Sequence, residues 1–217
     1  MGKTKDVRAA VESELRFDTL VDSRDVKVTN IVGDVTLTGT VSSYPQYLEA
    51  ATAARRVAGV TGVHNNLMVV RTDSDYRDDV QLTTAANNAL ANNVTVPAQV
   101  EAAAYDGNIT LSGTVEYLTQ RAAAETAVSG LIGVRNVEND IDISYVIDPV
   151  NVDLHVQEAL ERSALVPDDS DVKSQTKDSV VTLTGHVRTW AEHDAVVGAA
   201  WMAQGVTDIR DDLQVTG

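Results

Sequence analysis

The sequence contains no cysteine. Disulfides, thiolate catalysis and cysteine-based zinc or iron–sulfur centres are thereby excluded. Aromatic residues make up only 4% of the 217 positions, so any core must be built from alanine, valine, leucine and isoleucine. No apolar run approaches the roughly 18 residues of a membrane span. No apolar stretch as long as a signal-peptide core follows Lys3 and Lys5, and Asp6 stands where N-myristoylation wants Ser or Thr. On this reading the protein is soluble and cytoplasmic as written, and periplasmic only if a leader has been removed. Basic residues are also scarce, 17 against 32 acidic, for a net charge of −15. Such a field repels nucleic acid and anionic lipid at long range, so no nucleic-acid partner is expected.

The motifs of catalysis are missing too. There is no Gly-rich phosphate loop, nucleophile elbow or paired-carboxylate arrangement. His64, His155, His186 and His193 form no metal-ligand spacing. Asp168, Asp169 and Asp171 lack the glycine and terminal glutamate of a calcium loop and read as a solvated connection. The expectation is a protein that is not an enzyme, with no cofactor and no metal.

What is present is a repeat. GDVTLTGTV at 33–41, GNITLSGTV at 107–115 and SVVTLTGHV at 179–187 align on Gly39, Gly113 and Gly185. Twenty residues later in each copy come Gly59, Gly133 and Gly205, which open the tails GVTGVHNNLMV, GVRNVENDIDI and GVTDIRDDLQV. Upstream, Val7/Val11/Leu15, Leu82/Ala86/Leu90 and Val152/Val156/Leu160 each trace one helix face. A short alternating run follows, then a turn, which in the second copy is Asp106-Gly107, a pair that favours tight hairpins. The TLTG segments alternate as strands, with Val35, Leu37, Gly39 and Val41 on one side and Thr36, Thr38 and Thr40 on the other. Between the paired glycines, the positions apolar in all three copies are Ala50/Ala124/Val196, Ala53/Ala127/Ala199, Ala54/Val128/Ala200 and Val57/Leu131/Ala203. Their spacing is that of a helical stripe, composed mostly of alanine. The six shared glycines are read as structural, with those of the middle strand facing the alanine helix at close range.

Each copy therefore reads helix, strand, strand, helix, strand. The first two strands form a hairpin, and the last two are joined by a helical crossover and so run parallel. The fold class expected is α/β (α+β): three tandem modules, each a three-stranded mixed sheet with two helices on one face. The modules span residues 1–72, 73–147 and 148–217, with junctions at 73–79 and 147–149. At about 70 residues each, they lie near the lower limit for an independent core, so packing between modules should contribute to stability.

The pattern VTLTGTV, an alanine-rich helix, then GV-x-x-V-x-N-x-L resembles the BON domain, the bacterial osmotic-stress and nodulation module. Val35–Val41 with Gly59-Val60, Val63, Asn65 and Leu67 carries it best, and the later copies repeat it nearly to the end of the chain. The resemblance implies a non-enzymatic protein tied to envelope integrity and osmotic stress, with phospholipid binding the activity usually proposed. One cytoplasmic branch of the family senses potassium.

The copies differ on their surfaces. Residues 1–72 carry nine basic and eight acidic side chains, whereas each later module has a net charge of −8. Contact with an anionic membrane or acidic partner therefore falls to the first module, with Lys3, Lys5, Arg55 and Arg56 as the candidates. Arg55 and Arg56 lie outside the buried stripe and are expected to be exposed, where they would also complement the end of a helix dipole. Trp201 and Met202 occupy the same register as Arg55 and Arg56. They read as a contact for a partner, a neighbouring module or a lipid interface. Trp190, in register with Tyr44 and Leu118, reads as core. The leading functional expectation is a non-catalytic multi-module binding protein of the osmotic or envelope stress response, contacting phospholipid surfaces or protein partners. The alternatives are a cytoplasmic protein responsive to potassium or calcium, and a self-assembling scaffold.

Overall fold

The computed structural model describes residues 6–70, 77–144, 152–163, 171–177, 179–203 and 205–216. Five elements recur three times. The first module holds α1 (Val7–Phe17), β1 (Val26–Ile31), β2 (Asp34–Val41), α2 (Tyr44–Arg55) and β3 (Gly62–Val69). The second holds α3 (Asp79–Ala91), β4 (Glu101–Tyr105), β5 (Asn108–Val115), α4 (Leu118–Ser129) and β6 (Asn136–Ile143). The third holds α5 (Val152–Arg162), β7 (Lys173–Lys177), β8 (Val180–Val187), α6 (Trp190–Trp201) and β9 (Asp208–Val215).

Local chemistry sets the ends of these elements. The Asp6 carboxylate accepts from the Ala9 amide and caps α1, Asp78 does the same for Gln81 in α3, and Thr189 for Glu192 in α6. Pro45 sits in the first turn of α2, where its missing N–H costs nothing. In each sheet the middle strand is antiparallel to the hairpin strand and parallel to the last strand. Two-residue loops join the hairpin strands. Val32 (φ +53°) with Gly33 (φ +92°), and Asp106 (φ +45°) with Gly107 (φ +77°), give the left-handed pair of a type I′ turn.

The expected helix faces are the ones buried. Val35 and Leu37 of β2 share one core with Val11 and Leu15 of α1 and with Ala50, Ala53 and Ala54 of α2, so both helices lie on one side of the sheet. The threonine side stays open, with Thr114, Thr184 and His186 exposed or half-exposed and Thr36, Thr38 and Thr40 half-buried.

The middle-strand glycines serve a different neighbour from the one expected. A Cβ on Gly39 (φ +119°) would lie 1.9 Å from the Asp25 carbonyl oxygen, on Gly113 2.4 Å from that of Gln99, and on Gly185 2.6 Å from that of Asp171. The close approach is to the backbone entering the hairpin strand, not to the alanine helix, and the left-handed φ independently favours glycine. Gly59, Gly133 and Gly205 also have positive φ, just after the second helix.

The Asn of the tail motif acquires a role. Asn65 Oδ1 accepts from the Leu67 amide while its Nδ2 donates to the Tyr47 carbonyl, and Asn139 does the same with Ile141 and Arg121. Asp211 keeps the bond to the Leu213 amide and meets His193 Nε2 at 2.7 Å. In all three modules this position ties the last strand to the second helix.

The cores do not stop at module boundaries. One continuous apolar cluster runs through the first two modules, from Val11 to Ile141. A second is centred on the third module but includes Leu118 of the second, and Ile143 packs against both.

Candidate interaction surface

The cations proposed from the sequence separate into three groups. Lys3 and Lys5 lie outside the described residues. Arg56 is exposed on one side but committed on the other. Its guanidinium bonds Glu14 at 3.0 Å, Glu49 at 2.9 Å, and Asp18. The Asp18 carboxyl accepts the Leu20 amide as well, and that bond, followed by Arg56, holds its pKa below the usual carboxylate value. Arg56 thus joins the end of α1 to α2, and three carboxylates already surround its charge. Arg55 is exposed and carries no carboxylate partner among the described residues; its guanidinium lies 4.7 Å from the centroid of the Trp190 ring.

Trp190 is not a core residue of its own module. It is half-buried against the first module, and its Nε1 donates to the Val60 carbonyl at 3.2 Å. His193 meets the indole edge-on at 4.8 Å between centroids. Apolar burial at this position is real, but the surface that buries it belongs to another copy. Trp201 is likewise half-buried, packed against the third module's cluster, while Met202 beside it is 80% exposed. The tryptophan and methionine therefore do not form one exposed pair.

Tyr44, read from the sequence only as a core position, reaches beyond its own module. It stacks on Tyr47 at 5.5 Å, and only 5% of it is exposed. Burial, then the charges of Glu125 in the second module and of Tyr47, push its hydroxyl pKa upward. The signal available was its register with Leu118 and Trp190.

Among the described residues, half of the large exposed apolar side chains lie on the first module. Phe17 ends α1 and Leu20 follows it, Met68 and Val70 stand at the end of β3, and Ile31 and Val32 form the hairpin tip, where Val32 is 96% exposed. That tip shares one end of the module with the Gly59 loop, since Gly33 accepts from the Thr61 amide at 2.9 Å. The start of α1 is at the same end, Val7 lying 3.1 Å from a Cβ placed on Gly59. A β-branched residue at φ +53° is disfavoured, and the second module has Asp106 there instead.

Among the described residues no group of three or more His, Asp or Glu side chains is placed to hold a metal ion. None of their helices is long and apolar enough to cross a membrane. Asp171 pairs with His186 at 2.8 Å, while Asp168 and Asp169 lie outside the described residues.

The fold and its surfaces define a class: tandem α/β modules whose distinctive residues serve packing within and between copies. The chain belongs to the BON domain family, whose model matches residues 3–71, 78–145 and 151–217. It is 32% identical over 140 residues to osmotically-inducible protein Y of Escherichia coli (strain K12), covering 62% of this chain and 70% of that one. Similarity to solved structures is distant. The C-terminal domain of CdsD, a structural protein of the type III secretion system of Chlamydia trachomatis, aligns over 100% of both chains at 15% identity with a TM-score of 0.27. The periplasmic domain of the inner-membrane protein PrgH from S. typhimurium covers 88% of this chain and 94% of its own, at 9% identity and a TM-score of 0.24.

Proposed function

We propose that this chain is a non-catalytic binding protein of the osmotic or envelope stress response, and that its first module makes the contact with an anionic phospholipid surface. The stress-response part is supported by family membership and by the likeness to an osmotically-inducible protein. The assignment to the first module rests on one observation. Its hairpin tip presents Ile31 and Val32 to solvent on the only module that is not strongly acidic. An exposed apolar tip of this kind gains by entering the boundary between headgroups and acyl chains, and nearby cations reduce the repulsion. Arg55 is the described cation suited to that part, whereas Arg56 is already neutralised by its carboxylates.

Co-sedimentation with phosphatidylglycerol vesicles at low salt tests this. Binding is expected, weaker to phosphatidylcholine vesicles and weakened by added salt. The Ile31→Asp/Val32→Asp double variant should abolish it, Arg55→Gln should reduce it, and Arg56→Gln should leave it nearly unchanged. Absence of binding, or binding indifferent to the hairpin substitutions, overturns the membrane reading and leaves a protein partner as the contact to seek.

A further inference from the structure

Tyr44, Leu118 and Trp190 occupy one position in the repeat, the first turn of the second helix of each module. All three are covered, and in each case by another module. Tyr44 belongs to the cluster running through modules one and two, and its hydroxyl lies within reach of the Val137 backbone of the second module. Leu118, 2% exposed, belongs to the third module's cluster with Val152, Val156 and Leu183. By the same rule Trp190 would reach a fourth module. It reaches the first instead, through the Val60 carbonyl and the Arg55 guanidinium. A head-to-tail contact that repeats either closes on itself or runs on as an open filament, and three modules suffice here for closure.

The receiving surface of the first module matches what arrives. At the position of Arg55 the second module has Ser129 and the third has Trp201. The module carrying the cation receives an indole, which offers a π face and an N–H to the carbonyl beside it. The module carrying Trp201 receives a leucine, and the module carrying a serine receives a tyrosine. At the contact between the third and first modules, the cation that distinguishes one copy therefore meets the indole that distinguishes the other. His193, fixed by Asp211 at 2.7 Å, also packs against the indole, 4.8 Å between centroids.

We propose that the chain is a closed ring of three modules latched by Trp190, and that the first-module surface made by Arg55 and the Val60 carbonyl takes the third module of the same chain as its partner. The match of Trp190 with Arg55 favours this contact over the same position on the other copies, where Ser129 and Trp201 stand. Arg55 is shared with the proposed membrane contact, but the latch is read without vesicles, so the two can fail separately.

The test uses the full chain. With Trp201→Phe in place, Trp190 is the sole tryptophan, and its fluorescence should be quenched by acrylamide several-fold less than free indole; adding Arg55→Ala should raise the quenching. In the otherwise native chain, Trp190→Ala should keep its far-ultraviolet dichroism and monomeric mass while its radius of gyration, from small-angle X-ray scattering, increases. Quenching equal to that of free indole, or a scattering profile unchanged by Trp190→Ala, overturns the latch. A native mass of two chains that Trp190→Ala reduces to one also overturns it, because the surface would then take a second copy. Should Trp190→Ala lose its fold, the quenching of the two Trp201→Phe proteins decides between latch and no latch.

Discussion

At the scale of single residues, Arg56 shows how a cation that looks available can be used up by the fold. It draws Glu14 and Asp18 from the end of α1 and Glu49 from α2. Isolated surface pairs contribute little, but three carboxylates sharing one guanidinium form a network, worth about 1 kcal/mol. Arg56→Ala should therefore lower the melting temperature at pH 7. The pH dependence follows from Asp18, whose pKa lies below its ordinary value in the folded state. A group with a depressed pKa adds stability that is fully present above its unfolded pKa and fades as pH falls through the folded one. The deficit of Arg56→Ala should thus be constant at neutral pH and shrink as pH is lowered below about 4. Thermal melts of both proteins from neutral to strongly acidic pH measure this; a deficit that persists unchanged at the acid end refutes the ion-pair role. Asp22, held down to about 2 by Arg24, remains charged over most of this range and is common to both proteins.

At the scale of elements, most of the fold was legible because three copies could be compared. Any single copy has polar and small residues on its helix faces, but the positions that stay apolar in all three are buried or half-buried. Val11, Leu15, Ala50, Ala53 and Leu37 are buried as that comparison requires. The hairpins illustrate a different limit. Their two-residue loops need left-handed backbone, which Asp106-Gly107 advertises and Val32-Gly33 does not. Replacing Val32 by Asn removes the β-branch while keeping φ positive, and should stabilise the chain by roughly 0.5–1 kcal/mol. The same change removes an apolar group from the hairpin tip, so greater stability should come with weaker binding to phosphatidylglycerol vesicles. Chemical denaturation and co-sedimentation on the one variant check both signs. A Val32→Asn chain no more stable than the parent would mean the turn bears little strain.

At the scale of the whole molecule, the contacts between modules were not legible, and the reason is physical. An apolar residue at the start of a helix is patterned identically whether its own module or the next one covers it, so Tyr44, Leu118 and Trp190 all read as local core. The consequence is an uneven distribution of stability. Modules one and two share a single continuous cluster, whereas the third keeps its own, joined to the rest by Leu118, Ile143 and Trp190. Its hairpin strand β7 buries no residue fully, unlike β1 with Val28 and β4 with Ala102. A module of this size holds a marginal core, so the third should open first on heating, as one cooperative unit distinct from the other two. Both tryptophans, Trp190 and Trp201, belong to that module. Fluorescence therefore reports the opening of that module and of its contact with the first, while far-ultraviolet dichroism follows all three. The fluorescence midpoint should fall below the dichroism midpoint, and Trp190→Ala should move the third module's transition down in calorimetry while leaving the later one in place. Coincident midpoints, with a calorimetric enthalpy equal to the van't Hoff value for the whole chain, would instead make the three modules one cooperative unit.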